Sequence, residues 1–404
     1  MDKKTKRLFT FFFTLKAICA LMMSLLVVYY WGVSDNISFF AESKNFAKQV
    51  AADISNLKYF WLPVDVYREN LAANSSVGIE SNFLVIKITT LLYPFAFGRF
   101  LIINFLFCIL ALVGQFKFYL ALSQRYSHMK KNIAVAVLLM PSVLLYSSYI
   151  NKETLCMAFI GFSVYTFFQI THNKNRGINT ILLLFNLFLI AVLKIYVIAA
   201  FFGAVAIVYF IKLVLHFWKG SIISKIFIAI FLSLALWAFV SNLSVFDPFI
   251  VEFADTSNTF QQQYNSQEAS SAFEFGEVET SFSGLLQKSP LAVYTTFFRP
   301  QLWEVNKPII LFIALEAFLV LVITFWALIA RRKNIRPLLK NDLWANVSFY
   351  YVILFGMVVG LTTFNFGSLV RYKIPAVPFL MVFVFLLLHY RPNKNEVSKE
   401  EITD

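Results

Sequence analysis

Single basic residues stand at the ends of apolar runs in this sequence, next to small or aromatic residues. Arg371 and Lys373 lie two apart between two such runs, so on an extended or irregular link they face the same side. Lys152 precedes another run, Lys194 interrupts one, and Arg299 begins the compact pattern Arg-Pro-x-x-Trp-Glu. A guanidinium group binds phosphate through two parallel hydrogen bonds, and a lysine acts as a point charge. These residue types therefore predict a site for a phosphate or pyrophosphate group.

A carboxylate near such a site would add acid–base chemistry. Asp35 follows the first apolar run closely and is the candidate catalytic base. It would take the proton of an acceptor hydroxyl while the cations stabilise the departing phosphate. Trp303, Glu304 and Tyr372 stand beside the basic residues and are candidates for contacting the acceptor or positioning the site.

Each of these residues also has a structural explanation, and the sequence leaves it open. Basic side chains at a membrane boundary commonly extend to the lipid headgroups. Lys152 could pair with the adjacent Glu153, and Asp35 could cap a helix together with Ser34. Glu316 lies inside an apolar run, where we expect it to have a structural role.

Composition identifies the kind of element that must position these residues. The chain has 404 residues, of which 59% are hydrophobic and 14% charged, and its mean hydropathy is +0.70. These values predict an all-α, polytopic helical membrane protein. The net charge of +13 does not indicate a nucleic-acid partner, because the basic residues fall in short loops between apolar runs.

The sequence shows no motif for a cofactor or a metal. It has no nucleotide-binding loop and no Ser/His/Asp pattern. The three cysteines lie inside apolar runs and the four histidines stand singly, so we expect neither a metal site nor a disulfide.

About ten transmembrane helices are expected, together with one segment, 83–98, that is re-entrant or lies in the membrane interface. A kink is expected near Pro141 and a division near Lys194. The predicted spans are a first one ending near 31, then 100–122, 132–149, 153–171, two within 178–218, 222–243, one ending at 330, 344–364 and 374–390.

The basic loops set the expected topology. If they all lie inside, both termini are cytoplasmic and residues 1–390 form a single transmembrane domain. Loops 32–82 and 244–307 then lie on the outer face, and 391–404 is a cytoplasmic tail. Loop 32–82 is expected to contain short helices, and residues 244–289 of the second loop are expected to act as a mobile lid.

Three motifs carry a resemblance to known proteins. They are Pro141-Ser142 with Ser147-Ser148 and Lys152-Glu153, then Arg299-Pro300-x-x-Trp303-Glu304, and then the stretch 365–375. They resemble a largely uncharacterised bacterial membrane family associated with surface-polysaccharide assembly. The layout is also similar to GT-C glycosyltransferases and Wzy-type repeat-unit polymerases. The GT-C resemblance implies a catalytic acid soon after the first span, matched by Asp35. The Wzy-type resemblance implies outer-face arginines, matched by Arg299 and Arg371.

The expected function is a membrane glycosyltransferase or polymerase of the bacterial inner membrane. It would use polyprenyl-(pyro)phosphate-linked sugars at the periplasmic face and transfer them to a glycan acceptor, with the lipid bilayer as its surroundings. Asp35 would be the base, and the phosphate would be held by Arg299, Arg371, Lys373, Lys152 and Lys194. A transporter or flippase of a lipid-linked or anionic solute is the alternative, and a non-catalytic scaffold is a third. Polar residues that gather at one face favour the enzyme.

Overall fold

The structure, a computed structural model, is all-helical, with no β-strand in the residues that it describes. Those residues are 3–32, 34–72, 78–218, 221, 225–226, 230, 233–234, 247–266, 271–305 and 308–391. Within them the extended pairing is limited to one isolated bridge, between Ala272 and Asn365. The chain divides into two compact units, 1–198 and 199–404.

The first unit begins with a long apolar helix and contains nine helices in its described residues before the boundary helix. They are α1 (Lys3–Leu26), α2 (Asp35–Ala52), α3 (Val64–Leu71), α4 (Glu80–Leu92), α5 (Phe100–Arg125), α6 (Lys130–Ala134), α7 (Pro141–Tyr146), α8 (Lys152–Thr171) and α9 (Arg176–Leu193). Short π-helical turns extend α1 through Trp31 and α6 through Leu139. Helix α10 (Ile195–Trp218) crosses the boundary between the units.

Helices α5 and α8 cross closely because each has a glycine at the contact. A Cβ atom on Gly161 would lie 2.0 Å from the carbonyl oxygen of Gly114, and one on Gly114 would lie 2.3 Å from the carbonyl oxygen of Ala158. Only glycine allows backbones to approach so closely, as small residues do in packed membrane helices. This crossing fixes the position of the N-terminal turn of α8.

The turn that leads into α8 is buried and is held by side chains from two other helices and by its own Asn151. Asn36 donates to the carbonyl of Ile150 at 2.8 Å, and Asn104 accepts from the Ile150 backbone N–H at 2.9 Å. Asn151 caps α8 by accepting from the Thr154 N–H at 2.5 Å. Irregular backbone is tolerated at membrane depth only where protein groups satisfy its hydrogen bonds.

The second unit contains seven helices in its described residues after α10. They are α11 (Asp247–Ser266), α12 (Phe282–Phe298), α13 (Pro308–Ala330), α14 (Arg332–Asn341), α15 (Leu343–Thr362), α16 (Phe366–Tyr372) and α17 (Val377–His389). Helices α12 and α15 pack closely, since a Cβ on Gly360 would lie 2.1 Å from the carbonyl oxygen of Ala292. The chain bends by 64° between α16 and α17.

The described helices confirm the all-α prediction and indicate a multi-pass membrane protein, while the count of ten spans stays a prediction. Seven are long and apolar enough to cross a membrane, or eight if the bent pair α16–α17 is one span. Predicted span 132–149 is divided, because Pro141 starts a new short helix. Predicted span 222–243 lies mostly outside the described residues, and the re-entrant or interfacial placement of 83–98 stays a prediction.

Of the two predicted outer loops, one is helical as expected and the other contains more helix than expected. Loop 32–82 holds α2 and α3, in agreement with short helices there. Segment 244–307 was expected to be one polar loop, yet it contains α11 and α12. Helix α12 forms because Ala292, Thr296 and Phe297 are buried, with Thr296 donating to the Gly356 carbonyl at 2.8 Å. The mobility of this segment stays a prediction.

Candidate functional site

Lys194 stands between two candidate spans and forms a buried ion pair. Its backbone is non-helical, so α9 ends at Leu193 and α10 begins at Ile195. The Nζ atom lies 2.5 Å from Glu153 Oε1 and donates to the hydroxyl of Tyr196 at 2.9 Å. Both charged side chains are almost fully buried. Each charge therefore needs the other to offset the free-energy cost of its removal from water.

Lys152 lies beside this pair and is the more accessible of the two lysines. It is the first residue of α8, is partly buried, and donates to Ser81 Oγ at 2.8 Å. Among the described residues, Ser81 accepts a hydrogen bond from this ammonium group, which carries three N–H donors. The carboxylates of Glu153 and Asp35 also act on this ammonium electrostatically.

Asp35 is exposed at the first residue of α2 and is close enough to Lys152 to attract its charge. Ser34 is the N-cap residue of α2, and its side chain makes no capping bond. We call Asp35, Lys152, Glu153, Lys194 and Tyr196 the lysine cluster. It brings together three of the predicted site residues in the first unit: Asp35, Lys152 and Lys194.

The second unit contains a cluster around Arg299, which follows the last residue of α12. Arg299 Nε donates to Glu304 Oε1 at 2.8 Å, and Nη2 contacts the same oxygen. The guanidinium also lies over the ring of Phe273, with 4.2 Å from Cζ to the ring centroid, and 5.3 Å from that of Phe366. Glu304 therefore already occupies one edge of the Arg299 guanidinium group, the edge formed by Nε and Nη2.

Glu304 and Lys373 hold the backbone around this arginine. Glu304 Oε2 accepts from the Gln301 N–H at 2.7 Å. The buried Lys373 Nζ donates to the carbonyls of Phe297 and Arg299, both at 3.4 Å, and Glu316 acts on it electrostatically. Glu316 therefore has the cationic neighbour expected for a structural carboxylate. We call Arg299, Glu304, Phe273, Phe366 and Lys373 the arginine cluster.

The remaining predicted residues of the second unit are less enclosed. Arg371 and Tyr372 are half-buried in the last turn of α16, and Arg371 Cζ lies 5.9 Å from the Tyr372 ring centroid. Trp303 is 78% exposed. Lys373 adjoins them at the bend between α16 and α17, so the predicted pair Arg371 and Lys373 marks a break between helices.

Lys16 is a fully buried lysine within the first span that was not predicted as a site residue from the sequence. Its Nζ donates to the carbonyl oxygen and to the hydroxyl of Ser147, each at 2.6 Å. The signal was a single lysine inside the first apolar run. A Ser/Lys pair can be catalytic, but Ser147 is fully buried and its hydroxyl donates to the Val143 carbonyl. Lys16 is therefore a structural clamp on the turn that leads to Lys152.

The described residues contain no group of three or more His, Cys, Asp or Glu side chains that could hold a metal ion. The chemistry that these clusters offer is cationic binding together with a nearby carboxylate. Comparison with known proteins gives no match: no family model fits the chain, and no curated protein or solved structure is similar to it.

Proposed function

We propose that the protein is a membrane glycosyltransferase or repeat-unit polymerase of surface-polysaccharide assembly. Its donor is a sugar linked to polyprenyl phosphate or pyrophosphate, and it acts at the periplasmic face of the bacterial inner membrane. The observation that carries the proposal is the proximity of the exposed Asp35 carboxylate to the Lys152 ammonium.

The depth of these residues supports a lipid-linked phosphate as the ligand. Asp35 comes four residues after the first candidate span ends at Trp31, and Lys152 begins another. Lys194 lies between two further spans. Side chains at the ends of apolar helices lie near the membrane boundary. A polyprenyl-linked phosphate occupies the same depth, with its chain in the bilayer and its sugar outside.

The reaction follows from these roles. The acceptor hydroxyl gives its proton to the Asp35 carboxylate as its oxygen bonds to the anomeric carbon of the donor sugar. The bond between that carbon and the phosphate oxygen breaks, and the electron pair stays on the phosphate. Lys152 stabilises the added negative charge, and the Glu153–Lys194 pair fixes the turn that carries Lys152. This scheme needs no cofactor.

The arginine cluster has a supporting place in the proposal. Arg299 would bind phosphate with the N–H groups that Glu304 leaves, and Arg371 would add a second fork. Within the second unit, Trp303, Glu304 and Tyr372 would position the arginines. Lys373 would act mainly through Arg299, because its ammonium bonds the Arg299 carbonyl.

Binding of undecaprenyl phosphate to the purified protein in nanodiscs tests the proposal. Native mass spectrometry would compare the wild type, Lys152→Met, Asp35→Asn and the control Lys58→Met, which removes an exposed lysine of the same unit. Losing a charge-assisted hydrogen bond costs roughly 1.5–3 kcal/mol, so Lys152→Met should bind about one to two decades more weakly. Asp35→Asn and Lys58→Met should bind as the wild type does. Unchanged binding by Lys152→Met contradicts the proposal.

The alternative function, transport of a lipid-linked or anionic solute, is favoured by one observation. Helices α16 and α17 are bent by 64° at a break that carries Lys373, and broken helices are common at transporter substrate sites. Flipping of a fluorescent lipid-linked phosphate across proteoliposomes distinguishes the two functions. A transporter moves the lipid without an acceptor, whereas the proposed enzyme leaves it in its leaflet.

A further inference from the structure

Helix α14 is a short basic helix between two candidate membrane spans. Successive residues of a helix are about 100° apart around its axis. Arg332, Arg336, Lys340 and Lys333 therefore fall within an arc of roughly 100°, and Ile335, Leu338 and Leu339 fall within a neighbouring arc of similar width. Charged and apolar residues are thus separated onto two adjoining faces.

The apolar face fixes this helix to the rest of its unit. Leu338 is buried, and α14 packs against α13, α15 and α17. Asn341 donates to the Tyr390 hydroxyl at 3.2 Å, and Asn346 donates to the Leu339 carbonyl at 2.8 Å. The position of the basic face is therefore set by packing and hydrogen bonds on the other side of the helix.

The basic face is open to its surroundings. Arg331, which precedes the helix, and the four basic residues of the helix are all exposed. The ion pairs among the described residues are formed by Arg68, Lys194 and Arg299. None of the five cations at α14 forms an ion pair with a described carboxylate. Five exposed cations over ten residues form a concentrated positive surface.

The two helices that flank α14 in the chain determine where its basic face lies relative to the membrane. Helix α13 ends at Ala330 and α15 begins at Leu343, and both are candidate membrane spans. Two spans joined by so short a link must end at the same face of the membrane. We infer that the basic face of α14 binds the headgroups of anionic phospholipids in the leaflet at which α13 ends. This inference does not depend on the proposed function.

Lipid selection in nanodiscs of mixed phosphatidylglycerol and phosphatidylcholine tests the inference. The full-length protein is released into the mass spectrometer and the ratio of the two retained lipids is counted. The test variant is Arg332→Gln with Arg336→Gln and Lys340→Gln. The control, Lys44→Gln with Lys48→Gln and Lys58→Gln, removes the same charge from exposed lysines of the first unit.

Each basic residue at a charged membrane surface favours anionic lipid by about fivefold, so the triple variant should lower retention at this site by about a hundredfold. The control should retain the wild-type ratio, and the preference should weaken in salt. Equal losses in both variants, or no loss in the test variant, overturn the inference. Displacement of phosphatidylglycerol by soluble glycerol phosphate would also overturn it, because the site would then bind a free phosphate.

Variants that lose a single charge keep the test decisive if the triple variant does not fold. Arg332→Gln and Arg336→Gln each remove one exposed charge and leave the apolar face unchanged. Each should lower the retained ratio at this site by about fivefold at an unchanged melting temperature. Retention of the wild-type ratio by both single variants contradicts the inference.

Discussion

Replacing Lys194 by methionine should destabilise the first unit strongly, because it would leave the Glu153 carboxylate buried without its ion-pair partner. The two side chains are 5% and 4% exposed, so solvent screens their interaction little. Removing one partner of such a pair costs about 3–5 kcal/mol. For a unit of roughly 200 residues, 1 kcal/mol corresponds to about 2–4 °C, so the melting temperature should fall by about 6–20 °C.

Removing both charges should be much less damaging than removing one. Lys194→Met with Glu153→Met replaces the pair by two apolar side chains, a change that is often close to neutral for buried pairs. The control is the surface pair Arg68–Asp65, whose side chains are 42% and 66% exposed. Arg68→Met should cost about 0–1 kcal/mol, because exposed pairs contribute little.

The comparison comes from thermal unfolding of the wild type and four detergent-solubilised variants, followed by intrinsic fluorescence. The variants are Lys194→Met, Glu153→Met, the double variant of these two, and Arg68→Met. A Lys194→Met protein as stable as Arg68→Met would refute the reasoning, as would a double variant whose loss equals the sum of the single losses. If Lys194 served only to bind phosphate, transfer activity would fall while the melting temperature stayed unchanged.

Three further predictions concern the crossing of α5 and α8, a buried tyrosine and the arginine cluster. Gly161→Ala should lose about 1–3 kcal/mol through overpacking, whereas Gly177→Ala, whose new Cβ would meet nothing within 4 Å, should keep the wild-type melting temperature. Burial raises the pKa of Tyr67, and the nearby Glu42 adds to the effect. Above pH 10 the unfolded chain therefore loses a proton that the folded protein keeps, so stability falls as pH rises. Tyr67→Phe should reduce that fall in melts from pH 8 to 11, and an identical fall would contradict this. Arg299→Lys loses the guanidinium N–H groups that Glu304 leaves for phosphate, and polysaccharide produced at matched protein levels should drop by about one to two decades. Normal production would leave Arg299 with a structural role.

Local patterns allowed several features to be predicted from the sequence. A single lysine in an apolar run predicted that the chain divides at Lys194, and helices α9 and α10 meet there. Proline chemistry predicted the interruption at Pro141. Asp35, Lys152 and Lys194 were grouped by their positions after or between apolar runs, and the structure brings them together in the first unit.

Contacts between distant parts of the chain could not be predicted in the same way. Lys16 bonds Ser147, which is 131 residues away, and no local pattern connects the two. Glu304 occupies one edge of the Arg299 fork because an irregular turn brings back a residue five positions later, which periodicity does not reveal. Helix α11 has an almost even balance of polar and apolar residues, so its composition resembled that of a loop.

Transfer by the Asp35→Asn variant tests the central claim most directly. General base catalysis contributes about two to four decades in rate, and the amide cannot accept the acceptor proton. Cells that carry this variant at wild-type protein levels should therefore make at least about a hundredfold less polysaccharide, although the purified variant binds undecaprenyl phosphate normally. Polysaccharide within about twofold of the wild-type amount would show that the reaction does not need this base, and would contradict the account.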